Sequence, residues 1–336
     1  MAVHAFRGQA GHLAAAAAVR SLVAGADYEI IPLRSADEKL KAVPERATVT
    51  VTTSAKLGLE RTLEFAEKAL RAGHEVVPHL AARQLTGEEE LRRFTGRLGE
   101  QGITRLYLIG GDAAPPAGPY DSALQVLQAL EHVDHGITRI GVACYPEGHP
   151  KISDAALAEA LTAKQQYAAY MVSQLCFSPQ ALLTWLERVR GAGITLPLHL
   201  GLAAPLQVSR LLALGPQIGV GSSVRYLAKQ HGFIGNLLRG AAYRPETLLH
   251  DMGGALTDPR MGIERLHLFS FNQVQQTAQW QQRAAGQPAA ALPAKTPGKK
   301  AVRCPRRLSS RRSAAPAGTP RGCCTVTRPA TSRSPS

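Results

Sequence analysis

Polar residues recur at the ends of β-rich runs in this 336-residue chain, and they are the candidates for chemistry. Glu29 stands between Tyr28 and Ile30-Ile31, where desolvation would favour the neutral acid. Thr52 ends the run Thr48–Thr52, His79 lies inside Glu75–Ala81, and Asp112 follows Gly110-Gly111 just past Arg105–Ile109. Tyr145 closes Arg139–Tyr145 and leads into the stiff loop Pro146-Glu-Gly-His149-Pro150. Gln174 lies in Tyr170–Phe177, and Asn272 follows Leu266–Phe271. Each has a plainer reading. His79 alone suits a satisfied core histidine, Asp112 an Asx turn beside glycine, and Asn272 a helix N-cap. Their recurrence at corresponding places is the signal. Dinucleotide, Walker-A, zinc-protease and nucleophile-elbow motifs do not occur. Gly219-Val-Gly-Ser-Ser resembles a phosphate loop only loosely. Cys144 and Cys176 lie in apolar runs and predict buried free thiols; no spacing supports a metal site or a disulfide framework.

The elements that must position these residues alternate. Eight β-rich runs, the six above with Tyr28–Leu33 and Pro197–Leu202, are separated by amphipathic helical stretches. Gly58–Arg71 gathers Leu59, Leu63, Ala66 and Leu70 on one face, and Pro179–Arg190 gathers Leu182, Leu183, Leu186 and Val189. Thr86-Gly-Glu-Glu opens another helix, and Gly73, Gly102 and Gly193 end three. Eight such units predict an α/β fold of the (β/α)8 TIM-barrel type over residues 26–285, with an open doubly wound sheet as the alternative. A helical extension is expected over 1–25. Gln217–Leu256 reads as helix seven plus extra helix, with pieces at Ser222–Gln230 and Pro245–His250.

The formal charge of +14 first suggests a polyanionic partner. From Arg283 to Ser336, however, there are 12 Lys and Arg and no acid, leaving 27 basic against 25 acidic residues in 1–282. Eight prolines and no aromatic residue follow Trp280. Residues 286–336 therefore read as a disordered basic C-terminal tail, and nucleic acid is not the expected partner. No apolar run reaches the roughly 20 residues of a membrane span. A cytoplasmic protein, free to form a homo-oligomer, is expected.

Val142-Ala-Cys-Tyr-Pro-Glu-Gly-His-Pro150 resembles the Ala-x-Tyr-Pro-Glu-x-His-Pro segment of the methylenetetrahydrofolate reductase family. Other motifs follow in that family's order: Tyr28-Glu-Ile-Ile-Pro32, Val49-Thr-Val-Thr52 with Glu60-Arg-Thr62, Pro78-His-Leu80, and Leu108-Ile-Gly-Gly-Asp112. Val172-Ser-Gln-Leu-Cys-Phe177 and Leu266-His-Leu-Phe-Ser-Phe-Asn272 complete the series. The resemblance spans about residues 26–283. It implies an oxidoreductase of one-carbon metabolism, serving methionine biosynthesis. The substrate would be 5,10-methylenetetrahydrofolate, reduced to 5-methyltetrahydrofolate by NADH or NADPH through FAD. Two alternatives are a flavin-independent reductase with direct hydride transfer and a folate- or flavin-binding barrel without reductase activity.

By the same resemblance Glu29 is the proton donor and Asp112 contacts the pterin beside the flavin. Gln174 and Asn272 are folate contacts. Thr52, Thr53, Ala55, His79, Gly110, Gly111, Asp112, Tyr145, His149 and Lys164 surround the cofactor. No metal is implied. The departures from the family concern the cofactor. Gly110 replaces an arginine, Thr53 an aromatic residue, Ser54 a glycine and Ser178 an acid, and Lys164 matches the family's lysine only with a one-residue gap.

Overall fold

The computed structural model describes residues 16–53, 55–207, 210, 243–256 and 258–286. By its contacts the chain divides into residues 1–292 and 293–336, and every described residue belongs to the first unit. The expected tail, most of the 217–256 insertion, Gly219-Val-Gly-Ser-Ser and Ser54 lie outside the described residues.

Eight parallel strands close into a barrel: β1 (Asp27–Ile30), β2 (Thr48–Val51), β3 (Glu75–Ala81), β4 (Arg105–Ile109), β5 (Arg139–Cys144), β6 (Tyr170–Ser173), β7 (Leu198–Ala203) and β8 (Ile263–Phe269). The neighbours β1 and β8 close the ring, with Glu29 in register with Phe269. The helices are α1 (Ala36–Leu40), α2 (Gly58–Arg71), α3 (Glu88–Glu100), α4 (Ala123–Leu130), α5 (Asp154–Gln165), α6 (Pro179–Gly191), α7 (Pro245–Met252) and α8 (Val274–Ala284). The (β/α)8 expectation is met.

Alternation along each strand builds two cores. On β1, Tyr28 and Ile30 join the large outer layer under the helices, as do Val49 and Val51 of β2 and Leu266 and Leu268 of β8. The opposite residues fill the barrel, among them Val77, Tyr107, Tyr170 and Val172. Gly141 makes room for this filling, since a Cβ there would lie 2.4 Å from the Tyr170 ring. The α2 stripe buries Leu59, Leu63 and Ala66 as its spacing predicts, adding Thr62, Phe65 and Ala69. Ser178 caps α6 by accepting from Ala181 N, with Pro179 in the first turn. At α3 no capping box forms. The cap position is Gly87, while Thr86 donates from both N and Oγ1 to Glu90 Oε2. Gly73, Gly102 and Gly193 end their helices at positive φ, as expected.

Three strand expectations are corrected. The first strand stops at Ile30 rather than Leu33. The sixth strand stops at Ser173 rather than Phe177, because Phe177 and Ser178 turn to donate their N–H groups to Glu147 Oε1 at 2.6 and 2.8 Å. The eighth begins three residues earlier, at Ile263, where it pairs with Leu198 of β7. Residues 16–24 are helical. Their end docks on α8, where Gln281 donates to Val23 O and accepts from the buried Tyr28 hydroxyl.

Candidate active site at the barrel mouth

The barrel interior is polar at both ends. At the strand N-termini, Asp27 lies between Arg265 (Nη1 to Oδ1, 3.0 Å) and His199 (Nδ1 to Oδ2, 3.5 Å). Tyr170 stacks on His199 at 4.2 Å. Burial pushes the Asp27 carboxyl up, but the His199 hydrogen bond and the charges around it prevail and hold it low. Burial also lowers His199. Asp27 and His199 are both buried at this floor.

One layer higher stands Glu29. Its Oε2 meets His267 Nε2 at 3.0 Å, and its side chain keeps 13% of its exposure. Oε1 has no hydrogen-bond partner among the described residues. The expectation of a carboxyl in apolar surroundings is corrected: His267 of β8 bonds it, and His79 and Tyr107 stand close by. His79 of β3 lies beside this pair, its ring 6.2 Å from that of His267 and edge-on to Tyr107 at 4.6 Å. Nε2 of His79 is buried without a partner, and burial drives the ring's pKa well down. Donor atoms of Glu29, His79 and His267 lie within 4.8 Å of one another, close enough for a metal. The existing Glu29–His267 hydrogen bond makes them equally a proton-handling pair beside an unpaired ring.

The family-derived residues of the β4 and β5 ends also gather here. Burial raises Tyr107, with Tyr145 and Glu29 adding to the effect. Burial likewise pushes Tyr145 up to about 12, with the Asp112 charge contributing. His149 is lowered by burial and drawn back by Asp112, and its ring meets Tyr145 edge-on at 5.1 Å. Glu29, Tyr107, Tyr145, Asp112 and His149 thus form one run of electrostatic neighbours. Asp112 is exposed on the loop after β4. Arg83 holds that loop through Ala113 O at 2.7 Å and Asp121 at 3.2 Å. Gly111 (φ 86) sits where a Cβ would meet Ala81 at 2.8 Å, so glycine is needed for the loop to leave the barrel at this point.

Other expected contacts have structural partners. Thr52 donates through N to Ile30 O, and its carbonyl accepts from Thr62, tying β2 to β1 and α2. Thr53 donates to Gln84 Oε1 at 3.2 Å, and Ala55 lies exposed in a turn. Gln174 lies just past β6 rather than in it, its Oε1 accepting from Leu175 N. Asn272 does not cap α8, whose cap position is Gln273. Its amide instead pairs with both backbone groups of Ile31, at 2.9 Å each, clamping β8 to β1. Lys164 is half-buried beside β5, donating to Ala143 O at 3.2 Å, and desolvation lowers its pKa. Gly110 leaves open space where a side chain would stand. Cys144 and Cys176 are buried free thiols, as expected.

Sequence reasoning missed three residues. His267 sat inside a recognised motif without a role; strict alternation on β8 could have put it on the face shared by Arg265 and Phe269. Glu147 and Arg83 act through long-range hydrogen bonds that no local pattern encodes.

The model of the family described as methylenetetrahydrofolate reductase matches residues 32–211, which is 180 of 336 residues. Glu29, His267 and Asn272 lie outside the matched stretch. Among solved structures, an oxaloacetate acetylhydrolase is 11% identical with a TM-score of 0.44, covering 74% of this chain and 75% of its own. A putative phosphonomutase from Burkholderia cenocepacia is 17% identical with a TM-score of 0.38, covering 67% of this chain and 99% of its own. Likenesses this loose carry no argument about chemistry. Among the described residues no helix is long and apolar enough to cross a membrane.

Proposed function

Since this chain belongs to the methylenetetrahydrofolate reductase family, we propose that it reduces 5,10-methylenetetrahydrofolate to 5-methyltetrahydrofolate with NAD(P)H. The observation that carries the reading is Glu29: a carboxyl at the barrel mouth with one oxygen held by His267 and the other unpartnered. Such a group can give a proton to the folate's departing N10. Breaking the N10–CH2 bond leaves an iminium at N5. A hydride from the nicotinamide adds to that carbon and makes the methyl group. NAD(P)+ departs, and solvent returns a proton to the Glu29 carboxylate. The exposed Asp112 carboxylate would accept from the aminopyrimidine edge of the pterin and steady the cationic intermediate. Gln174, beyond β6, would supply an amide to the same ring system.

The residues matched to the family's cofactor set offer few donors to a flavin dinucleotide. Its pyrophosphate needs cations or clustered N–H donors. Gly110 carries no side chain, Lys164 is held by Ala143 O, Arg83 is held by its own loop, and the Thr53 hydroxyl is held by Gln84. Direct hydride transfer is therefore our first reading. A flavin route is the second, favoured by the Tyr145–His149 ring pair and the unpartnered His79 nitrogen, which suit a flat heteroaromatic ring.

Two measurements test this. Purified protein should show no flavin absorption, yet oxidise NAD(P)H when methylenetetrahydrofolate is added; flavin bands at one equivalent would overturn the first reading in favour of the second. Glu29→Gln should lower kcat by on the order of 10²- to 10⁴-fold. Undiminished turnover in the folded variant would remove Glu29 as the acid. Folate binding without turnover under any donor would reduce the protein to a binding barrel.

A further inference from the structure

We infer that His267 is the positioning residue that holds Glu29 in its proton-donating orientation. The inference rests on the reductase reading and adds a residue to it. The two side chains come from adjacent strands that meet only where the barrel closes, β1 and β8. His267 is 1% exposed, and its Nε2 lies 3.0 Å from Glu29 Oε2. Its ring is wedged by Phe269 at 4.9 Å edge-on, with His79 and Tyr107 each at 6.2 Å. A ring packed on several sides cannot swing away from the carboxyl, whereas a glutamate free of it has three rotatable bonds. Holding Oε2 leaves Oε1, which has no hydrogen-bond partner among the described residues, for the substrate.

A hydrogen on Nε2 lets the His267 ring donate to Glu29 Oε2, and His79 of β3 and Tyr107 of β4 stand around the same ring.

The test compares wild type with His267→Ala and His267→Gln, full-length, in NAD(P)H-dependent turnover of methylenetetrahydrofolate. Loss of positioning should cut kcat of the alanine variant by on the order of 10²-fold, with KM for the folate little moved. Glutamine returns a hydrogen-bond donor and should recover most of the lost rate. Wild-type rates in His267→Ala would overturn the inference. So would an equal fall in both variants that tracks a lowered unfolding temperature. Side-chain ¹⁵N NMR of His267 reads the hydrogen bond without turnover. A resonance unchanged by Glu29→Gln would show that the pair does not form. A wild type that binds folate but never turns over would instead overturn the reductase reading, with the NMR result standing apart from it.

Discussion

At the scale of single residues, the barrel mouth separates groups held in place from groups left available. Thr52, Asn272 and Lys164 each have a backbone partner. Glu29 keeps an unpartnered oxygen, and Asp112 stands exposed beside Tyr145 and His149. The available pair are the carboxylates, and they should fail differently. Glu29→Gln removes the proton and acts on kcat. Asp112→Ala removes an acceptor of charge-assisted hydrogen bonds, each worth about 1.5–3 kcal/mol. KM for the folate should rise roughly 10- to 100-fold in that variant, measured by steady-state kinetics at saturating NAD(P)H. An unchanged KM would take Asp112 out of the binding site.

At the scale of elements, the site depends on how the barrel is closed. Glu29 and His267 can meet only if β1 and β8 keep their register. That seam is held beyond the strands by Asn272, whose amide accepts from Ile31 N and donates to Ile31 O. Phe271 and Asn272 both adopt positive φ there, an unfavourable choice for Phe271 that the clamp and the Ser270 hydroxyl help to offset. Asn272→Ala should lower unfolding free energy by about 1–3 kcal/mol, because it leaves the half-buried Ile31 N–H without its acceptor. A urea titration measures this. An unfolding midpoint equal to that of wild type would mean that the strand pairing alone holds the seam. The Pro146–Pro150 loop works similarly: Glu147 anchors it to the start of α6, which is how a polar loop beyond β5 keeps His149 near Asp112.

At the scale of the whole molecule, buried histidines couple stability to acidity. Burial lowers His74, His79 and His199 below the ordinary histidine value. Each is freer to take a proton when unfolded, so the stability it contributes is present above about pH 6.5 and is lost as pH falls through its folded value. Asp27 is also lowered, and its contribution is lost only near and below the ordinary carboxylate range. The urea midpoint should therefore fall from about pH 7.5 to about pH 5, and fall again below about pH 4. A midpoint that stays level from about pH 7.5 to about pH 5 would show these histidines to be solvated in the folded state.

Period and composition were enough to read the fold from sequence. Alternation in the strands, 3.6-residue stripes in the helices and glycine stops are local properties, so eight βα units and a near-neutral body were legible before any coordinates. Strand ends were legible to within a few residues, except β6, which a glutamate thirty residues upstream cuts short. Residue types also marked Glu29, Asp112, Tyr145 and His149 as candidates, and the fold brings their strand ends to one mouth. Only the tertiary structure decided partners. Which side chains are held and which are left available depends on contacts such as Glu29–His267, 238 residues apart in sequence. Such a hydrogen bond exists because ring closure sets β8 beside β1, and no window of sequence contains both ends of that closure.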